Sequence, residues 1–235
     1  MISIIIPALN EEKFIVRLLD SLKRQKLRDY EVIIADAGST DKTLQISRNY
    51  GCKIVKGGLP ARGRNNGAKA AKGDLLLFLD ADCFLPNNCL NKSIIEYEKR
   101  SLDVSTFMLL PDGKSKIRKI FLNLFYNYPI LILEKILPHG AMGILIDKEM
   151  FKRLNGFDET IKLAEDHDFI RRAAKIGRFG VIRACKILTS DRRFDTDGWL
   201  NTYIKFLLCE MHMIFLGPIR SDIFKYRFNH YVKNT

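Results

Sequence analysis

The chain has 235 residues, 47% hydrophobic and 28% charged. That is enough for one substantial core and too little for two full-sized domains with separate active sites. Lys and Arg total 39 against 27 acids, a net charge of +12, so the chain should face something negative: a phosphorylated substrate, lipid head groups or nucleic acid.

The opening Ser3-Ile-Ile-Ile-Pro7 reads as a buried strand; a leader would need a basic start and a longer apolar run. Glu11 to Gln25 follows as a helix, Glu31 to Ala35 as a second strand, Thr40 to Tyr50 as a second helix and Lys53 to Val55 as a short third strand. Arg64 to Ala71 is helical, and Leu75 to Leu79 is an apolar run suited to a central strand covered on both faces. This alternation predicts an α/β fold with a mostly parallel central sheet flanked by helices. Three strands end in polar clusters: Pro7-Ala-Leu-Asn-Glu11, Asp36-Ala-Gly-Ser-Thr-Asp41 and Asp80-Ala-Asp82. Open parallel sheets bind ligands at the carboxyl ends of their strands, so one cleft should hold all three.

Pro86 to Arg100 is a further helix. The basic Gly113-Lys-Ser-Lys-Ile-Arg-Lys119 leads into the aromatic-rich Ile120 to Leu137, read as one or two amphipathic helices broken near Pro129. Its uncharged part, Ile120 to Leu133, falls short of the roughly 20 residues that span a bilayer. Ile144 to Asp147 is a strand, Gly156-Phe-Asp a turn, Glu165 to Ile176 a helix, and Trp199 to Tyr231 an amphipathic helical tail. Bases beside aromatic and aliphatic residues in Lys114 to Leu137 and Trp199 to Tyr231 suit contact with an anionic membrane surface. Cys52, Cys83, Cys89, Cys185 and Cys209 are odd in number and lack metal or dithiol spacing. They read as free thiols in a reducing compartment, which points to a cytoplasmic protein, peripheral on the cytoplasmic face of the membrane.

Two acidic clusters carry the chemistry. Asp80 and Asp82, one residue apart after a buried strand, can both reach a hard divalent cation that keeps sites open for phosphate oxygens. Glu165-Asp166-His167-Asp168 offers a carboxylate, best placed as Asp166, as general base for an incoming hydroxyl. Arg192 and Arg193 have guanidinium groups suited to a diphosphate, and His139, before Gly140-Ala-Met-Gly143, either lies by the cleft as a third metal ligand or is structural, the commoner role of a lone histidine.

The order of Pro7-Ala-Leu-Asn-Glu-Glu12, Asp36-Ala-Gly-Ser-Thr-Asp41, Ala61-Arg-Gly-Arg-Asn-Asn-Gly-Ala68, Gly73-Asp74, Asp80-Ala-Asp82, Gly156-Phe-Asp-Glu159 and Glu165-Asp166 resembles family 2 glycosyltransferases of the GT-A fold. The resemblance spans about residues 1 to 195. It implies a catalytic domain there, with a donor-binding half over about 1–100 and an acceptor half over about 101–195, and leaves 196–235 as a C-terminal helical appendage. It implies an inverting enzyme that transfers a sugar from a nucleotide-diphosphate sugar with Mn2+ or Mg2+. Pro7, Leu9, Glu11 and Asp36 would then meet the donor's base and ribose, and Arg64 would lie near the donor. Asp80, Ala81 and Asp82 would line ribose and metal, and Asp166 would be the base. Ala37 departs from the pattern, since many members carry a second acid there.

A general base implies a hydroxyl acceptor such as a sugar, a polyol or a lipid-linked glycan. A lipid monophosphate, the acceptor of polyprenyl-phosphate glycosyltransferases, is already anionic and would need no base. A nucleotidyltransferase is the next enzyme to consider, but the loop after the first strand is acidic and glycine-free. Nucleic acid is not expected as a partner, because no zinc-finger spacing or RNP-like aromatic motif accompanies the charge.

Overall fold

The computed structural model describes residues 1–113, 115–192, 196 and 198–224, apart from the side chains of Trp199 and Leu200. Strands β1 (Ile2–Ala8), β2 (Tyr30–Asp36), β3 (Lys53–Lys56) and β4 (Leu75–Leu79) alternate with helices α1 (Glu12–Lys23), α2 (Thr43–Asn49) and α3 (Pro60–Ala70). All their pairings are parallel, with β1 between β2 and β4. Because helices cover both faces, consecutive strand residues such as Ile4, Ile5 and Ile6 are fully buried. Gly67 lets α3 lie against β1, since a Cβ there would stand 2.3 Å from Ile5 Cγ2.

The second half comprises β5 (Cys83–Phe84), α4 (Cys89–Lys99), β6 (Val104–Pro111), α5 (Lys116–Leu122), a π-helical stretch (Asn123–Asn127) and α6 (Tyr128–Ile132). It continues through β7 (Gly143–Asp147), α7 (Lys148–Arg153), α8 (Glu165–Ala174), β8 (Phe179–Thr189) and α9 (Trp199–Phe215). One eight-stranded sheet results, in the order β3-β2-β1-β4-β7-β6-β8-β5. It is mixed: β7 runs antiparallel between β4 and β6, while β6 and β8 are parallel.

Several expectations change. The helix starting at Lys116 passes Pro129 without breaking, because the adjacent π-helical turn accommodates the missing amide donor. α9 ends at Phe215, before Gly217 in the left-handed region (φ +82°); the remainder of the expected tail helix, from 225 to 231, lies outside the described residues. Nor are all five cysteines free. Cys89 on α4 and Cys185 on β8 form a disulfide across a separation of 96 residues, with Cα atoms 5.4 Å apart, while Cys52, Cys83 and Cys209 are thiols. Sequence spacing cannot reveal a pair so distant, and the inference of a reducing compartment loses that support. No helix among the described residues is long and apolar enough to cross a membrane.

Candidate functional site

The loops after β1 and β4, the N-terminal ends of α3 and α8, and the segment after β8 converge on a cleft of about 840 Å³. Pro7, Leu9, Glu11, Arg64, Asp80, Ala81, Asp82 and Asp166 all line it, so the two acidic clusters meet across one space despite their distance in sequence. Asp36 does not join the lining. Its carboxylate folds back to accept hydrogen bonds from the Gly38 and Ser39 amides, and the neighbouring Ala37 faces the cleft. Arg193 lies outside the described residues.

Arg64 organises the acids. It is buried on α3, donates to Asp80 Oδ1 at 2.9 Å and forms a short ion pair with Glu165 at the start of α8. Burial works against its charge, but Glu165, Asp80 and Asp166 more than offset that, so the guanidinium stays protonated. Next to it, Asn65 accepts from the Phe157 amide and donates to the Phe157 carbonyl, both at 2.9 Å. The Arg64-Asn65 pair therefore ties α3 to both the Gly156-Phe-Asp turn and α8. Gly156 is required at this turn: φ is +70°, and a Cβ would stand 2.5 Å from Asn65 Oδ1.

A second charged knot holds the Asp80-Ala-Asp82 loop to the end of the sheet. β5 pairs antiparallel with β8, aligning Cys83 with Thr189. That register places Ser190 and Arg192 beside Asp82: Ser190 Oγ donates to Asp82 Oδ2 at 3.1 Å, and Arg192 Nε lies 3.0 Å from the same oxygen. Arg192 also donates to Glu11 Oε2 at 2.6 Å. Burial raises the Glu11 carboxyl to about 7; Arg192 opposes the rise, and Asp82 and Asp80 add to it.

The raised Glu11 has a measurable consequence. A carboxyl whose folded-state pKa exceeds its unfolded value stabilises the fold below the unfolded pKa, and that contribution is lost as pH rises through the folded pKa. Urea unfolding should show the stability difference between wild type and Glu11→Gln changing by roughly 3 kcal/mol between pH 4.5 and 7, with wild type losing ground as pH rises. A difference independent of pH would reject the raised pKa.

Asp166, in the first turn of α8, is raised to about 6. Burial is the main cause, Arg64 lowers the value and Asp80 raises it. His139 and His167 line the cleft beside it, with ring centroids 3.9 Å apart. Of the two places the sequence allowed for His139, the structure gives the cleft. His167 Nδ1 lies 2.9 Å and His139 Nδ1 3.6 Å from Glu210 of α9, which also forms a short ion pair with Arg171. The ligand atoms of His139, His167 and Glu210 all lie within 4.8 Å of one another, close enough to hold a cation. The Arg171 pair already answers the Glu210 charge, and the network pins α9 onto α8.

For a divalent cation, the better donor set is Asp80 with Asp82. The hydrogen bonds and ion pairs found among the described residues use Oδ1 of Asp80 and Oδ2 of Asp82, leaving the other oxygen of each carboxylate. Thr189 Oγ1, in register with Cys83, is buried without a hydrogen-bond partner among the described residues. Hard oxygen donors of this kind fit Mg2+ or Mn2+.

Comparison with known proteins gives the chain's family and fold. A family model described as glycosyl transferase family 2 matches residues 3–141. An uncharacterized glycosyltransferase of Haemophilus influenzae is 31% identical over 183 residues, covering 72% of this chain and 60% of its own length. A poly(ribitol-phosphate) beta-glucosyltransferase of Bacillus spizizenii is 39% identical over 184 residues, covering 73% of this chain and 29% of the relative. The chain spans 54 to 60% of the length of the first three curated relatives it matches. Among solved structures, S. aureus TarS 1-349 in complex with UDP superposes with a TM-score of 0.64 at 25% identity, over 90% of this chain and 65% of that one. The mannosyltransferase PcManGT from Pyrobaculum calidifontis, in complex with GDP-Man and Mn2+, shares the fold with a TM-score of 0.63 at 21% identity, over 80% of this chain and 56% of that one.

Proposed function

The chain belongs to glycosyl transferase family 2, and from that footing we propose that it transfers a sugar, with inversion, from a nucleotide-diphosphate sugar to an acceptor hydroxyl. The observation that carries this reading is the convergence of Asp80, Asp82 and Asp166 on one cleft. Relatives bound to UDP and to GDP-Man support a nucleotide-sugar donor.

In this mechanism Pro7, Leu9, Glu11 and Ala81 form the donor wall with Asp80 and Asp82. Asp80 and Asp82 would hold the divalent cation, which neutralises charge on the departing diphosphate. Arg192, held by Glu11 and Asp82, adds a guanidinium on the same side, taking the role expected of the Arg192-Arg193 pair. Asp166, across the cleft, removes the acceptor proton while the acceptor oxygen attacks the anomeric carbon opposite the leaving group. Arg64 keeps Asp80 and Glu165 in place and favours the ionised form of Asp166. Residues 1–195 make up the catalytic unit, and α9 belongs to the helical appendage.

A thermal-shift panel of UDP, GDP, CDP and TDP, each with and without Mn2+, tests the reading. One nucleotide should raise the Tm, and more so with metal, because a ligand that binds only the native state stabilises it. No shift with any of the four rejects it.

The outer surfaces support an anionic membrane as a partner. On α5, α6 and the turn after them, Ile117, Ile120, Ile132 and Ile136 are 62 to 80% exposed. On α9, Ile204, Leu207, Leu208, Met211, Ile214 and Phe215 follow the spacing of one helical face and point outward. The two surfaces meet where Phe121 and Phe125 pack on Tyr203, and Lys116, Lys119 and Lys135 stand next to the exposed isoleucines in sequence. An apolar patch of this extent rimmed by bases suits lipid head groups. Flotation with anionic vesicles is expected at low salt and should weaken at high salt. A protein that stays wholly unbound at low salt overturns the assignment.

A further inference from the structure

The cleft changes character along its length. Around Glu11, Arg64, Asp80 and Asp82 it is charged, which suits a diphosphate. It also takes in a largely apolar canyon between the α5–α6 rod and α9, lined by Leu109, Leu122, Ile130 and Leu133 and, from α9, by Phe206 and Leu207 together with Tyr203, Lys205 and Glu210. Among the polar groups that can meet a sugar hydroxyl, His139 and His167 adjoin Asp166, and Tyr126, Tyr203, Lys205 and Glu210 interrupt the apolar lining. An entirely hydrophilic acceptor would leave most of this lining facing unpaired hydroxyls, at a desolvation cost.

We infer that the acceptor is an amphiphile held in a membrane leaflet: its hydroxyl-bearing head sits at Asp166 and its apolar chain lies in the canyon. Three observations favour this occupant over a second copy of the chain. The canyon is continuous with the candidate reaction site; a thin hydrocarbon chain can fill it as a packed protein face cannot; and Leu207 belongs both to the canyon and to the outward face of α9. Lys116 and Lys119 of α5 and Lys135 just after α6 can complement lipid phosphates. The inference rests on the transfer reading of the cleft. In the step itself a bond forms from the acceptor oxygen to the anomeric carbon, the bond from that carbon to the diphosphate oxygen breaks with its electron pair leaving on the diphosphate, and the hydroxyl proton passes to Asp166.

The probe is dodecyl maltoside below its micelle concentration, with maltose as the head-group control. Dodecyl maltoside at about ten times its Kd should raise the Tm of the full chain by about 3 °C, and maltose at the same concentration should leave it unchanged. Leu133→Trp, which fills the canyon, should abolish that shift while keeping the nucleotide-induced shift that reports a folded donor side. Leu137→Trp reads the same lining if Leu133→Trp does not fold. Equal responses to the two probes, no response to either, or a full dodecyl maltoside shift in the tryptophan variants would overturn the inference, as would a shift that appears only when the chain self-associates. If dodecyl maltoside binds but no nucleotide does, the transfer reading fails and takes the acceptor assignment with it. If a nucleotide binds but dodecyl maltoside does not, the amphiphile assignment alone fails.

Discussion

Asp166→Asn should lower sugar transfer by about 100- to 10,000-fold, the usual contribution of a positioned general base, while the Tm shift caused by the nucleotide persists. Asparagine matches aspartate in size and keeps an oxygen to accept from the His167 amide, now at 2.9 Å, so the donor wall on the opposite side should be undisturbed. In wild type the carboxyl titrates at about 6, and only its ionised form can take a proton. Transfer should therefore rise with pH to half its plateau near pH 6, and the residual activity of Asp166→Asn should lack that limb. An unchanged rate in the variant removes Asp166 from the mechanism. A lost nucleotide shift would mean that the residue supports the fold or the donor site instead.

Replacing Arg64 by Leu should cost about 3–5 kcal/mol of stability in urea unfolding, the range for removing one partner of a buried ion pair. Glu165 bears most of the damage: it is buried, its carboxyl is already raised by burial against the pull of Arg64, and the substitution would leave it without its cation. The same change removes a positive charge that holds down the Asp166 pKa. The rise of transfer with pH should move upward from about 6 in whatever folded Arg64→Leu protein remains. Arg64→Lys keeps the charge without the two-armed geometry and should recover part of both losses. A folded Arg64→Leu protein with wild-type stability and an unmoved pH limb would show that the guanidinium does not couple these acids.

These two residues also mark what could be read from sequence. Leu75 to Leu79 announced a buried strand ending at Asp80, because hydrophobic period is a local signal, whereas the meeting of Asp166 with that strand end was expected only from the resemblance in motif order. The strands β6 and β8 escaped notice. Val104-Ser-Thr-Phe-Met-Leu-Leu-Pro111 has no clean alternation because it is buried nearly throughout, and β8 breaks register against β6 between Phe107 and Met108. The antiparallel β7 could not be told from a parallel strand, since direction depends on the connection rather than on composition. In the site, Arg64 was legible as a donor-side residue but its pairing with Glu165 was not; the signal was an arginine within an otherwise small and buried helix face, which demands a counter-charge. Glu210 pairs with His139, His167 and Arg171 from a tail helix that otherwise presents apolar residues outward, so sequence offered only the oddity of one acid in a greasy stretch. Asp36 matches a motif position, but its carboxylate accepts from the amides of its own turn and it does not join the cleft lining, a local contact that sequence does not show.

Gly67 reaches further than its missing side chain suggests. One hydrogen in place of a methyl lets α3 rest flush on Ile5, and Arg64 stands on the same helix a turn earlier. The depth to which that arginine reaches into the cleft thus depends on a packing contact one turn along the same face of its helix. The electrostatics of the acids and the steric fit of the core are one variable here, and a change to either is felt as a change to both.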